Sequence, residues 1–277
     1  MTRGTTRKRA SLLTSLIAVP LGCLVGVPFY YILVNCFKTQ GEMAADPFGL
    51  PHSWSFQNFA EVFRTQPVVE AFFNTVYVTA VSVVLMLLIG SMAAFAMIYR
   101  RSGLHTVVGA VLMVCFVIPY QATIIPLYQM LVDANLYDNL NGLIAIYSAG
   151  SVFCYFVIVG YMRKLPTEIL EAARIDGAGP LRIYRSVALP LIRPVLVTVG
   201  VFQVMWVWND YVSPTILISS PNHSTLVLLA YQAVSQFTTN WPSFLAVTVI
   251  VLIPMVVFFI AMQKYIVEGL FTGGVKG

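Results

Sequence analysis

Residues 171–194 read EAARIDGAGPLRIYRSVALPLIRP, a polar and basic stretch set between two long apolar ones. Apolar segments of that length on both sides place the stretch at a membrane face, where a soluble partner can reach it. Its local reading is helix, turn, helix. Thr167 follows Pro166 and is placed to cap a helix, and Glu168 and Glu171 suit the positive N-terminal end of one. Ala172 and Ala173 present little side chain, which lets a partner backbone come close. Gly177 permits a left-handed turn that a residue with a Cβ resists. Pro180 begins a second short helix, and Pro190 and Pro194 start the next apolar segment, where a missing N–H costs least.

Composition agrees with a membrane chain. Of 277 residues, 58% are hydrophobic and only 10% charged, against roughly 25% charged in a soluble domain; mean hydropathy is +0.82. A helical span needs about 20 apolar residues. Six segments qualify: 11–37, 71–98, 106–131, 142–162, 188–212 and 243–263. A seventh, 225–234, is too short and reads as an external helix. Backbone groups in lipid must be satisfied within the segment, so the spans are expected to be helical. A closed barrel would alternate apolar and polar residues along short strands, and no such alternation occurs. One membrane domain covers residues 1–277. The basic N-terminus and the run from Ser11 imitate a secretory signal, and Leu21-Gly22-Cys23 a lipoprotein site. The apolar run continues far past the ~7–15 residues of a signal core, so the segment is expected to remain as the first span.

Basic residues orient the spans. Arg3, Arg7, Lys8, Arg9, Arg100, Arg101, Arg163, Lys164, Arg174, Arg182, Arg185, Arg193, Lys264 and Lys276 fall on one side, and only Lys38 and Arg64 on the other. The side rich in Lys and Arg is cytoplasmic. Both termini and the loop 163–187 are therefore expected inside, and 38–70, 132–141 and 213–242 outside. The net charge of +5 is dispersed over short loops, so it reads as orientation and not as a nucleic-acid surface. Cys23, Cys36, Cys115 and Cys154 have no metal or redox spacing. His52, His105 and His223 are isolated, and no metal site is expected.

Within the loop the spacing is Glu171-Ala172-Ala173, three residues, Gly177, nine residues, Val187, one residue, Leu189-Pro190. This resembles the coupling loop of permease subunits from ATP-driven, binding-protein-dependent importers, the ATP-binding-cassette type. There the pattern has Ile where Val187 stands, one methylene more. Asp176 in RIDGAG, which runs on through Ala178, is similar to the carbohydrate-uptake, maltose-type branch. So are Trp208-Asn209-Asp210-Tyr211 and the terminal Gly273-Gly274-Val275-Lys276-Gly277, which matches the tail of the smaller of that branch's two permeases. The resemblance implies an all-α polytopic protein with six transmembrane helices and a cytoplasmic coupling loop between helices 4 and 5, in a bacterial inner membrane. It implies a second, related permease, two ATPase subunits and an extracytoplasmic sugar-binding protein as partners. Glu171, Ala172, Ala173, Asp176, Gly177, Ala178, Leu189 and Pro190 would couple to the ATPase, and the glycine-rich tail would reach its interface.

No G-x-x-x-x-G-K-[ST] run is present, so ATP and Mg²⁺ are expected on the partner ATPase, with no cofactor and no catalytic residue in this chain. Gln203, Trp206 and Asp210 share a helix face and, with Asn209, are candidates for lining the route. Trp206, Trp208 and Tyr211 equally suit an aromatic belt at the membrane boundary. Asn74, Thr75, Thr79 and Ser82, and Gln121, Thr123 and Gln129, suit helix–helix contacts or sugar contact. Pro119, Pro126 and Pro254 are expected to bend their spans. A permease for polyamines, glycerol phosphate or an inorganic anion is the nearest alternative. An ion-coupled secondary transporter would place ionisable residues deep in several spans, and these span centres are nearly free of charge.

Overall fold

The computed structural model describes residues 3–99, 102–236 and 240–274. Their regular structure is all helical, with no strand among the described residues. In chain order the helices are α1 (Arg3–Asn35), α2 (Gln40–Ala45), α3 (Gln57–Thr65), α4 (Val68–Tyr99), α5 (Gly103–Val117), α6 (Tyr120–Asp133), α7 (Leu140–Tyr147), α8 (Ser151–Met162), α9 (Glu168–Ile175), α10 (Pro180–Ile183), α11 (Leu189–Leu191), α12 (Arg193–Asn209), α13 (Val212–Leu217), α14 (Leu226–Gln236) and α15 (Trp241–Gly274). Four stretches are long and apolar enough to cross a membrane: Ala18–Asn35, Val68–Tyr99, Leu140–Met162 and Trp241–Ile266. Two bent pairs raise the number to six if each is one span: Gly103–Val117 with Tyr120–Asp133, bent by 100°, and Pro180–Leu191 with Arg193–Asn209, bent by 76°.

Both bends have local causes. Pro119 disfavours the helical region for Ile118, and Ile118 (φ −66°, ψ 120°) and Pro119 (φ −64°, ψ 130°) are both extended. The helix restarts at Tyr120. In the second pair each proline starts its own helix, Pro190 in α11 and Pro194 in α12, with Ile192 (φ −90°, ψ 1°) between them. α12 stops at Asn209, three residues short of the sequence expectation, because Asp210 turns extended (φ −72°, ψ 130°). Arg100 and Arg101 lie outside the described residues.

The described residues fall into two compact units, one within Met1–Gln66 and Ala230–Ile253, the other within Pro67–Leu229 and Pro254–Gly277. In the first, side-chain amides and an ammonium hold the connection after α1. Asn35 donates to the carbonyls of Tyr31 (2.8 Å) and Pro47 (2.9 Å). Asn58 donates to those of Cys36 (2.8 Å) and Lys38 (2.9 Å), and Lys38, itself 1% exposed, to that of Asp46 at 2.7 Å. Phe37 packs on Trp54, Phe56 and Phe59, with ring centroids 5.1–5.4 Å away. Glu61 accepts from Ser243 at 2.8 Å.

The second unit is assembled on α4, which packs against α7, α8 and α12. Its buried face runs through Thr75, Val78, Ser82, Met86, Gly90, Ala94 and Phe95, the i, i+3, i+4, i+7 spacing of one helix side. Lipid supplies no hydrophobic drive between helices, so close packing must hold them. The α4–α8 crossing meets that need at Gly90, where an added Cβ would lie 2.6 Å from Cys154 Cβ and 2.9 Å from the Ser151 carbonyl oxygen. Asn74, beside this face, and Thr75, at its start, hold the connection after α13. Asn74 donates to the carbonyls of Asn222 (2.8 Å) and Ser224 (3.0 Å), and the Thr75 hydroxyl accepts from Leu226 N–H at 2.9 Å. Asp138, at φ +53°, ties two connections together. Its carboxylate accepts from the N–H groups of Ser219 and Ser220, both at 2.9 Å, and from the Ser220 hydroxyl.

Candidate functional site

The predicted coupling stretch folds as α9, a glycine turn and α10. Thr167 stands at the N-cap of α9, but its own backbone is helical (φ −67°, ψ −25°) and its hydroxyl makes no capping bond. Glu168 and Glu171 occupy the first turn and Arg174 the last, which suits the helix dipole at both ends. The exit is a Schellman turn. Gly177, at φ +77°, donates to the carbonyl of Arg174 at 3.0 Å, and Ala178 to that of Ala173 at 3.1 Å. These two bonds satisfy carbonyls that the helix end leaves open, and they require a left-handed residue at the glycine position. The offset between Ala173 and Gly177 therefore has a backbone reason.

The candidate coupling residues divide by direction. Glu171, Ala172, Asp176, Gly177 and Pro190 are exposed. Ala173, Ala178 and Leu189 are partly buried and pack on the unit's own core. Small size at Ala173 and Ala178 thus serves the chain's own turn, the contact between helix end and following residue that accompanies this motif. Two exposed apolar side chains escaped the sequence reading: Ile175, 86% exposed, and Leu181, 62% exposed. An apolar residue inside a charged connection is the signal that would have found them.

Behind α9 the loop is fixed to α4. The Arg174 guanidinium lies 3.9 Å from the Tyr99 ring centroid and donates to the Tyr99 carbonyl at 2.5 Å. After α10 the chain makes a π-helical turn, Tyr184–Ala188. Tyr184 is buried there, its hydroxyl 2.8 Å from the Ser91 hydroxyl and its ring 5.5 Å from that of Phe95. Neither Arg174 nor Tyr184 stood out in the sequence, because a basic residue in this loop is already explained by orientation.

The four candidates for the route have different surroundings. Trp206, 48% exposed, lines a cavity of about 870 Å³ together with Tyr120, Thr123, Phe153, Phe202 and Gln203. The walls are mostly apolar. Gln203 is otherwise buried, its amide donating to the Gly150 carbonyl at 3.3 Å and directed at Cys154 Sγ at 3.5 Å. Asn209 is exposed, its amide turned back to the Met205 carbonyl at 2.7 Å. Asp210 lies beyond the helix and accepts from Tyr147 O–H (2.9 Å), Val212 N–H (3.0 Å), Ser213 N–H (3.3 Å) and the Ser213 hydroxyl. That set closes the start of α13. Gly273 and Gly274 continue α15 as helix; Val275, Lys276 and Gly277 lie outside the described residues. No group of three His, Cys, Asp or Glu side chains comes together among the described residues.

Comparisons with known proteins agree on one family. Residues 86–271 match the profile of the binding-protein-dependent transport system inner membrane component. The chain is 32% identical over 273 residues to the melibiose/raffinose/stachyose import permease protein MelC of Bacillus subtilis (strain 168), covering 98% of this chain and 99% of that one. It is 32% identical over 265 residues to the probable starch degradation products transport system permease protein AmyC of Thermoanaerobacterium thermosulfurigenes, covering 95% and 96%. A chain of a bacterial ABC transporter involved in the import of the acidic polysaccharide alginate superposes with a TM-score of 0.82 over 96% of this chain and 98% of that one, at 22% identity, and so shares its fold. A matched profile over two thirds of the chain and full-length relatives point the same way: the chain belongs to the family of binding-protein-dependent transport system inner membrane components.

Proposed function

We propose that this chain is a membrane-spanning permease subunit of an ATP-driven importer that receives a sugar from an extracytoplasmic binding protein. The observation that carries this reading is the loop pattern, held as a helix and Schellman turn, in a chain whose full-length relatives are named as saccharide permeases. The named cargoes of those relatives favour a di- or oligosaccharide. Counting each bent pair as one crossing, six spans with both termini inside the cell put α9 and α10 at the cytoplasmic face, in agreement with the basic residues. There the exposed Glu171, Ala172, Ile175 and Asp176 offer a small contact surface to an ATPase, and the tail 273–277 a second one. Because a permease of this kind encloses a path with a partner, a second related permease completes the assembly, and two ATPase subunits bind and hydrolyse ATP below. Trp206 and the cavity beside it are the part of this subunit best suited to face that path, an aromatic surface on which a sugar ring can lie. Asp210 and Gln203 support the wall rather than the cargo, since their polar atoms are engaged within the chain.

The test is uptake. Cells lacking this reading frame should lose accumulation of one or a few radiolabelled di- or oligosaccharides and recover it on complementation. Purification of the tagged chain should bring down an ATPase and a second permease. Unchanged uptake across a broad saccharide panel, with loss of a polyamine or phosphate instead, would reassign the cargo.

A further inference from the structure

Resting on that functional reading, we propose that Arg174 is a strut that carries movement of the loop into α4. Tyr99 is the last described residue of α4, and Ser102 is already extended (φ −142°, ψ 163°). The Tyr99 carbonyl therefore falls among the last four of the helix, which lack a partner within it and carry the partial negative charge of its dipole. Arg174 meets both features of that residue at once, with its charge over the ring at 3.9 Å and an N–H on the carbonyl at 2.5 Å. A planar guanidinium can do both; a lysine ammonium supplies a point charge without the planar stack.

The contact continues inward. The Tyr99 ring lies 5.1 Å from that of Phe95, and Phe95 lies 5.5 Å from Tyr184, whose hydroxyl meets Ser91 at 2.8 Å. Ser91, Phe95 and Tyr99 are spaced by four, one above another on a single side of α4. Both halves of the loop, α9 through Arg174 and the π-helical turn through Tyr184, therefore grip the same row of side chains at the same end of α4. Since α4 packs against α7, α8 and α12, a push on α9 reaches the helices of this unit through packed groups as well as through the chain's own connections. The Arg174 side chain is engaged on α4, apart from the outward residues of α9 that offer the ATPase contact. It acts through Tyr99 and touches no cargo, so it is a positioning residue.

The experiment uses the complete complex in proteoliposomes, with hydrolysis and sugar uptake measured on the same sample. In Arg174→Met the ATPase should still co-purify and hydrolyse, while sugar moved per ATP falls about tenfold, the middle of the range for residues that carry coupling between sites. Arg174→Lys should recover part of that ratio. Tyr99→Leu removes the ring but leaves the backbone carbonyl, so it should lower the ratio by less. Adding it to Arg174→Met should cause no further loss, because the ring acts on the loop through Arg174. A full ratio in Arg174→Met, or losses that multiply in the double variant, overturns the strut. Loss of ATPase co-purification overturns it too, by making Arg174 a docking residue. A wild-type complex without sugar-stimulated hydrolysis would remove the functional reading and the strut together, whereas a working wild type beside an unaffected variant removes the strut alone.

Discussion

Gly177 holds φ at +77°, yet a Cβ placed there meets nothing within 4 Å among the described residues. The barrier to substitution is thus in the backbone and not in space. A residue with a Cβ in this region costs about 1–2 kcal/mol, with Asn the most tolerant. Sugar uptake should therefore fall in the order Gly, Asn, Ala, Val at position 177, with the spans still inserted; equal uptake by Asn and Val would refute the turn. The glycine was legible because its distance from the alanines suggested a turn. The directions of Ala172 and Ala173 were not, since spacing alone does not say which side of a helix meets the body. Asp138 is a second position governed by its own bonds. Partial burial pushes its carboxyl up, but hydrogen bonds from Ser220 and Ser219, and then the nearby His223, outweigh this and hold it below the ordinary 3.8. A depressed carboxylate stabilises when charged, so its contribution is complete above about 3.8 and fades as pH falls toward the lower folded value. Asp138→Asn should lower the local opening free energy at residues 218–225 by roughly 1–3 kcal/mol at neutral pH. Hydrogen exchange would show it, and the gap between the two proteins should narrow below that pH.

The crossing of α4 and α8 makes a sharper demand than any connection. At Gly90 an added Cβ would sit 2.9 Å from a backbone oxygen of Ser151 as well as 2.6 Å from Cys154, and backbone cannot swing aside. Gly90→Ala should cost roughly 1–3 kcal/mol, as overpacking does, and lower the melting temperature of the detergent-solubilised complex. Gly160→Ala on α8 is the comparison, since nothing lies within 4 Å of a Cβ there; it should be neutral or stabilising. Equal melting temperatures for the two variants would contradict the close crossing. The apolar segments were readable from length and composition, and so was the bend at Pro119. The end of α12 was not. Asp210 leaves the helix to cap α13 through Val212 and Ser213, and apolar length contains no record of such a bond. Lys38 was misleading in a similar way, since it counted as an external charge while lying buried on the Asp46 carbonyl.

Membership in the transport-component family is shown by the matched profile, and the charge asymmetry gives an orientation to test. Residues 213–242 contain no Lys or Arg, whereas 163–187 contain Arg163, Lys164, Arg174, Arg182 and Arg185. Alkaline phosphatase fused near His223 should be active outside the membrane, and fused near Arg182 it should be inactive. The reverse pattern would invert every span and remove the loop from the cytoplasm. The Schellman turn after α9 has a consequence at this level. Ala173, Gly177 and Ala178 form the turn and its seat on the body, while Glu168, Glu171, Ala172 and Ile175 look outward from α9. Shape and address are therefore written in different letters of the same short stretch. If α9 meets an ATPase as proposed, exchanging the outward letters alone should change which motor the chain accepts and leave the turn folded, as a plug can be exchanged on a standard socket-holder.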